Sequence, residues 1–341
     1  MRAMVLRKNS NAESYPLKYE DVENPEPKEN GILVQVSYCG VCRTDLHVVE
    51  GDLPPLAFPI IPGHEIVGKI VKVGRNVRTL SEGELVGIPW LHHTCGRCEY
   101  CITSRENLCD SKVFTGYTVN GGYAEYAIGE EGYVFALPED SDPAKLAPFL
   151  CAGIIGYRAL KMALPRPGGR IGFFGFGGSA HLTLQLASKL GYQTVGFSRN
   201  PSHLKLAEEL GASETILTAG SDQGMLRNKE RNLDSAIVFA PAGEVVLQAL
   251  RVLKKGGIVS IPAIHMSPIP QIDYDGDLFG ERKLMSVESN TRSDAQEFLN
   301  LAARLKLEST ITRRSLKEAN KALSDLKKGD VVGALVLDCR L

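Results

Sequence analysis

The sequence predicts an α/β protein of two domains, one built on a doubly wound parallel sheet and the other β-rich. Three observations predict it. The chain has 341 residues, beyond the size at which one hydrophobic core usually serves. Residues 1 to about 150 read as short Val/Ile/Tyr-rich runs, whereas from 153 to 288 strand and helix patterns alternate, the mark of a parallel sheet with helices on both faces. A glycine-rich turn joins the first strand of that alternating stretch to its first helix.

In the first stretch, GILVQVSYCG, EIVGKIVKVG, GELVGIPW and GGYAEYAIG are punctuated by Gly and Pro and read as strands. IGFFGFG is the next, an apolar strand ending in glycines. In SAHLTLQLASKLG, Leu182, Leu186 and Leu190 share one helical face and Gly191 supplies the stop. YQTVGFS is a strand, PSHLKLAEELGA a helix, and DSAIVFA and GGIVSIPA are later strands. The tail holds two helical patterns, DAQEFLNLAARLKL and SLKEANKALSDLKKG, and a last strand, GALVLD. We assign it back to the first domain, so that 1–152 and 289–341 enclose a central domain of 153–288.

Composition excludes several classes. Apolar residues are 43%, charged residues 23% and the formal net charge is −1, with both signs scattered; no basic patch points to nucleic acid. No apolar run approaches the ~18 residues of a membrane span, and MRAMVLRKNS lacks the apolar core of a signal peptide. The expected location is the cytoplasm, where clustered thiols point to metal or redox chemistry rather than disulfides.

The turn Gly175-Phe-Gly177-Gly178-Ser179-Ala180 fits G-x-G-x-x-G/A. Alone that string is weak. Here it closes a strand and opens a helix, the context of a Rossmann dinucleotide fingerprint, in which a pyrophosphate meets the helix N-terminus. At the end of the second strand an Asp or Glu would select NAD through the ribose hydroxyls. This chain has Ser198 and Arg199 there instead. A guanidinium suits a 2′-phosphate, so NADP(H) is the favoured cofactor and NAD(H) the alternative.

Two sets of metal-ligand residue types remain. Cys95, Cys98, Cys101 and Cys109 follow C-x2-C-x2-C-x7-C in a lobe spanning about 92–112. The third gap and the following Asp110 depart from the ferredoxin pattern, and four thiolates so spaced suit a closed, structural Zn²⁺. The second set, Cys42, His64 with Glu65, and Cys151, is dispersed, and each residue by itself is ambiguous. Cys39 and Cys42 also form a C-x-x-C, and a lone cysteine is most often packing.

Taken together, the motifs resemble the zinc-dependent alcohol dehydrogenases of the medium-chain dehydrogenase/reductase superfamily. The resemblance runs over essentially the whole chain and rests on G-H-E-x2-G-x5-G-x2-V at Gly63, His64, Glu65, Gly68, Gly74 and Val77, on GVCRTDLH, and on the four-cysteine lobe. It implies a GroES-like catalytic domain beside the Rossmann domain. It implies a catalytic zinc on Cys42, His64 and Cys151, with Glu65 able to serve as a fourth ligand and Asp45 orienting the histidine. It implies that Thr44 contacts the substrate oxygen, that His47 ends a proton relay, that Arg43 faces the pyrophosphate and that Trp90 lines the pocket, favouring small or unbranched substrates. Cys39 and Cys339 match no ligand position. Two departures bear on cofactor binding: Ile155 stands where relatives often have Thr, and Ala334 where they often have Arg. The implied substrate is a small alcohol or aldehyde, and the implied assembly a homodimer or homotetramer. Polyol or aminoalcohol dehydrogenases share the scaffold, zinc-free quinone and enoyl reductases lack the ligand set, and a nucleotide-binding relative without turnover is the non-enzymatic alternative.

Overall fold

The computed structural model describes residues 1–54, 57–218, 232–329 and 331–340. The chain divides into two units: Met1–Ile154 with Ser289–Ala303 and Glu308–Leu341, and Ile155–Glu288 with Arg304–Leu307.

The first unit is organised by the strand Gly31–Val41, whose 11 residues are almost all buried. Antiparallel partner Glu65–Val73 runs along most of its length and Tyr126–Glu130 along its first half, and the C-terminal strand Ala334–Asp338 pairs antiparallel with its last residues. The sheet runs in the order Ile311–Ser315, Ala334–Asp338, Gly31–Val41, Glu65–Val73, Leu85–Ile88 and Phe135–Ala136. Ile32, Val34, Val36, Ile66, Ile70, Val86 and Ile88 form its core. The β-rich reading holds, but GGYAEYAIG contributes only its last four residues, to the strand Tyr126–Glu130. The helix Arg43–Glu50, which follows the central strand directly, is an element the Val/Ile counting passed over.

The second unit is a parallel sheet with helices, in the order Glu214–Leu217, Gln193–Ser198, Arg170–Phe174, Leu233–Val238, Leu253–Ile261 and Lys283–Ser286. The first strand in sequence therefore lies between the second and the fourth, and the crevice beyond its C-terminal end is a topological switch point, where open α/β sheets bind ligands. Phe174 and Phe197 stack across adjacent strands at 4.1 Å and 7°. The helix Gly178–Lys189 buries Leu182 and Leu186, as the period requires. Leu190 is a correction: it is the residue beyond the last helical turn and is 43% exposed, so the apolar stripe ends at Leu186. Among the described residues no single helix is long and apolar enough to cross a membrane.

Candidate active site

The end of one strand, the start of its neighbour and a break between two helical segments build the first cluster. Cys42 ends the central strand and caps the helix Arg43–Glu50. His64 stands just before Glu65–Val73, the strand paired with it. Cys151 sits between the 3-10 turn Ala147–Leu150 and the helix Ala152–Ala163. One ligand atom from each of Cys42, His64, Glu65 and Cys151 lies within 4.8 Å of the other three. The dispersed set thus converges.

Its electrostatics follow from burial. Hydrogen bonding with Cys151 holds the Cys42 thiol well below the ordinary thiol value, and the same bond, with burial, drives Cys151 up. Burial and the negative charge at Cys42 push Glu65 well above the usual carboxylate range. Its Oε1 accepts the Ala152 N–H at 3.2 Å. Gly40 leaves room for that carboxylate, since a Cβ there would come 1.8 Å from Oε2. Burial alone would lower His64, but Asp45, by charge and hydrogen bond, and then the Cys42 sulfur together outweigh it and raise it.

Asp45 is the hub. Its Oδ1 accepts His64 Nδ1 at 2.8 Å and the Gly63 N–H at 3.1 Å. Its Oδ2 accepts the Cys42 N–H at 2.9 Å and the Tyr123 hydroxyl at 3.2 Å. With Nδ1 donating to the carboxylate, the lone pair of the neutral ring is on Nε2. That atom is buried with no hydrogen-bond partner among the described residues, a cost of about 1–3 kcal/mol if nothing fills the space. Two sulfurs, an aimed imidazole lone pair and a carboxylate form the donor set that Zn²⁺ takes. The residues fit the ion.

The second cluster is local. Cys95, Cys98, Cys101 and Cys109 surround one point, with Sγ separations of 3.9 Å for Cys95–Cys101 and 3.5 Å for Cys98–Cys101. The N–H groups of Arg97 and Cys98 hold the Cys95 thiol down to about 6. Ile102 at its tip is 71% exposed, so little apolar burial holds the lobe and a bound metal would supply its order. Cys39 and Cys339 are buried in the core of the first unit.

Around the first cluster, Trp90 presents its indole edge-on to His64, ring centroids 4.9 Å apart at 71°. Its face stacks on Phe114 at 4.6 Å, and Tyr117 follows at 5.8 Å. The Tyr117 hydroxyl donates to the Pro54 carbonyl at 2.9 Å. Thr44 is half-buried in the first helical turn. Arg43 donates to the Leu326 carbonyl at 3.2 Å. His47 Nδ1 lies 2.8 Å from Asp52 Oδ2. Tyr123, Phe114, Tyr117 and Asp52 were missed in the sequence. Only Asp52 had a local signal, a glycine stop followed by an acid five residues past His47.

The glycine turn lies in the second unit. Gly175 has φ +85°, and a Cβ there would meet the Ala240 nitrogen at 2.8 Å beside the fourth strand. Gly177, the N-cap of the helix, has nothing within 4 Å of where a Cβ would stand, the open approach a pyrophosphate requires. Gly178 and Ser179 supply the first turn and Ala180 is buried against the sheet. The turn fits the dinucleotide. Ser198 is buried and its Oγ accepts the Asn200 N–H at 3.1 Å, so it shapes the loop, while Arg199 is exposed. Ile155 is half-buried on the helix Ala152–Ala163, and Ala334 opens the last strand.

Comparison with known proteins agrees with this chemistry. Residues 28–139 match the family described as alcohol dehydrogenase GroES-like domain, and residues 178–304 that described as zinc-binding dehydrogenase. A probable alcohol dehydrogenase of Mycobacterium tuberculosis is 44% identical over 99% of this chain and 97% of its own. An alcohol dehydrogenase of Geobacillus stearothermophilus is 37% identical over 99% of this chain and 98% of its own. Among solved structures, a cinnamyl alcohol dehydrogenase of Sorghum bicolor has a TM-score of 0.90 at 26% identity, covering 99% of this chain and 97% of that one.

Proposed function

We propose that this chain, which belongs to the zinc-dependent alcohol dehydrogenases of the medium-chain dehydrogenase/reductase superfamily, interconverts a small primary or secondary alcohol and its carbonyl compound, exchanging hydride with NADP(H) in preference to NAD(H). The observation that carries the reading is the convergence of half-buried Cys42 and Cys151 with buried His64 and Glu65, the Nε2 of His64 being orphaned among the described residues.

Cys42, His64 and Cys151 would hold the catalytic zinc, with Glu65 as an alternative ligand, and Cys95, Cys98, Cys101 and Cys109 would hold a structural one. When bound, the catalytic ion supplies Lewis acidity, polarising a carbonyl or making a hydroxyl more acidic. Asp45 keeps the His64 ring turned with Nε2 toward the cluster. Trp90 narrows the space beside His64 and keeps water from it. Thr44 Oγ1 receives the alcohol proton as it gives up its own, and His47 accepts the proton passed on, an imidazole being the side chain that exchanges protons near neutral pH. A bound nicotinamide would supply the hydride acceptor for the carbinol carbon. Gly175, Gly177, Gly178, Ser179 and Ala180 seat the pyrophosphate, Arg43 adds positive charge for it, and Arg199 pairs with the 2′-phosphate.

The test is a set of rates with NADH and NADPH on a panel of primary, secondary and polyhydric alcohols, with and without a chelator. Chelator-sensitive turnover of small alcohols, faster with NADPH, is expected. Losing charged hydrogen bonds of about 1.5–3 kcal/mol, R199A is expected to lower kcat/KM for NADPH roughly 10- to 100-fold and to spare NADH. Cofactor binding without turnover of any alcohol or carbonyl compound would leave the non-catalytic reading standing. An intact NADPH preference in R199A would remove the cofactor assignment.

A further inference from the structure

The helix that carries Cys42, Thr44 and His47 ends in a way that no ligand to the metal requires. Gly51 adopts φ +84° and ψ 25° after the last turn. Both the Gly51 N–H and the Asp52 N–H then reach the His47 carbonyl, at 3.0 and 3.1 Å. That reversal depends on glycine, since L-residues rarely adopt this conformation and a Cβ would stand 2.9 Å from Asn9 Cγ. The same fold-back carries the Asp52 carboxylate over the turn it has just left, to 2.8 Å from His47 Nδ1. His47 is therefore gripped by one residue at both its main chain and its ring.

The geometry points to Asp52 as a positioning residue that holds His47 in one tautomer and one orientation; the inference rests on the reading of His47 as the proton acceptor. A carboxylate oxygen only accepts, so at this distance Nδ1 carries the proton and the neutral ring keeps its lone pair on Nε2. The opposite tautomer would set a nitrogen lone pair against Oδ2. The His47 side chain is 9% exposed and that of Asp52 36%, so the ring is enclosed while the carboxylate reaches solvent. A proton delivered to His47 is taken at Nε2, and the cation so formed lies beside a negative charge. This is the base-and-orienter arrangement that active sites use to ready an imidazole.

The experiment uses the full-length, zinc-loaded protein labelled with 15N on histidine. In the wild type, the His47 signals should show a protonated Nδ1 and an unprotonated Nε2. In D52A they should move to the other tautomer or to a mixture, and kcat for alcohol oxidation should fall about 10-fold, below the full 10²–10⁴-fold that general acid–base catalysis supplies. KM for the alcohol should stay near its wild-type value. D52N, which keeps an acceptor oxygen, should recover part of both. In an H47A background, D52A should cost nothing further. Unchanged His47 signals in D52A, or an equal loss of kcat in the H47A background, would overturn the inference. An H47A enzyme with full kcat would instead refute the relay itself, and the nitrogen spectra would still decide what Asp52 does to the ring.

Discussion

Replacing Asp45 by Asn removes a charge while keeping the shape, and the cost can be worked out bond by bond. Each carboxylate oxygen accepts one main-chain N–H that cannot turn away, Gly63 on Oδ1 and Cys42 on Oδ2. An amide has one oxygen, so in either orientation its NH₂ faces one of those donors. The better orientation keeps the oxygen toward His64 and Gly63, and the Tyr123 hydroxyl rotates to accept from the NH₂. The Cys42 N–H is then orphaned in a partly buried site, at about 1–3 kcal/mol, and the His64 bond loses its charge assistance, worth about 1 kcal/mol more. The expected destabilisation is about 2–4 kcal/mol, with a fall in zinc affinity of about 10- to 100-fold because the ligand histidine is no longer held. Trp90 is the only tryptophan in the chain and its ring lies 4.9 Å from that of His64, so urea unfolding followed by its fluorescence reports on this cluster directly. Zinc content after dialysis supplies the second readout. A D45N protein that unfolds within 0.5 kcal/mol of wild type, an order-of-magnitude limit set by ordinary surface substitutions at about ±0.5 kcal/mol, and keeps its zinc would refute the account of Asp45 as hub.

Other outcomes follow from the same geometry. C98S should release one zinc per chain and loosen the lobe to proteolysis between 95 and 109 while the other metal stays bound; metal analysis and limited digestion check it, and loss of both ions would contradict the separation of the two clusters. W90A should raise kcat/KM for branched alcohols relative to unbranched ones by roughly 10-fold, within the 1–3 kcal/mol that pocket contacts command; an unchanged ratio would mean that the indole is only packing. Burial holds His181 down at about 4, and burial, then the nearby charge of His93, does the same for His92. Since the unfolded chain takes up those protons first, stability should fall as pH drops from about 6.5 to about 4, by about 3 kcal/mol for each ring. Urea midpoints across that window test the fall, and H181L should flatten part of it; a flat wild-type profile would refute the assignment.

The sequence alone carried whatever depends on neighbours along the chain. Strand and helix periods, the glycine turn between Phe174 and Gly178, and the four-cysteine lobe were all legible, because residues a few positions apart cannot be far apart in space. The limits of local reading were also local. Leu190 kept the helical period but fell beyond the cap, where no further turn exists to bury it. Only the tertiary structure brought Cys42, His64 and Cys151 to one point and showed the lone pair of His64 aimed there. Family resemblance could name those three; spacing could not. Nor could it reveal Tyr123, which reaches Asp45 across 78 residues of chain, or the stack of Trp90 on Phe114. Strand pairing decides such contacts: register sets which side chains of distant segments face each other, and a shift of one residue would turn each to the opposite face.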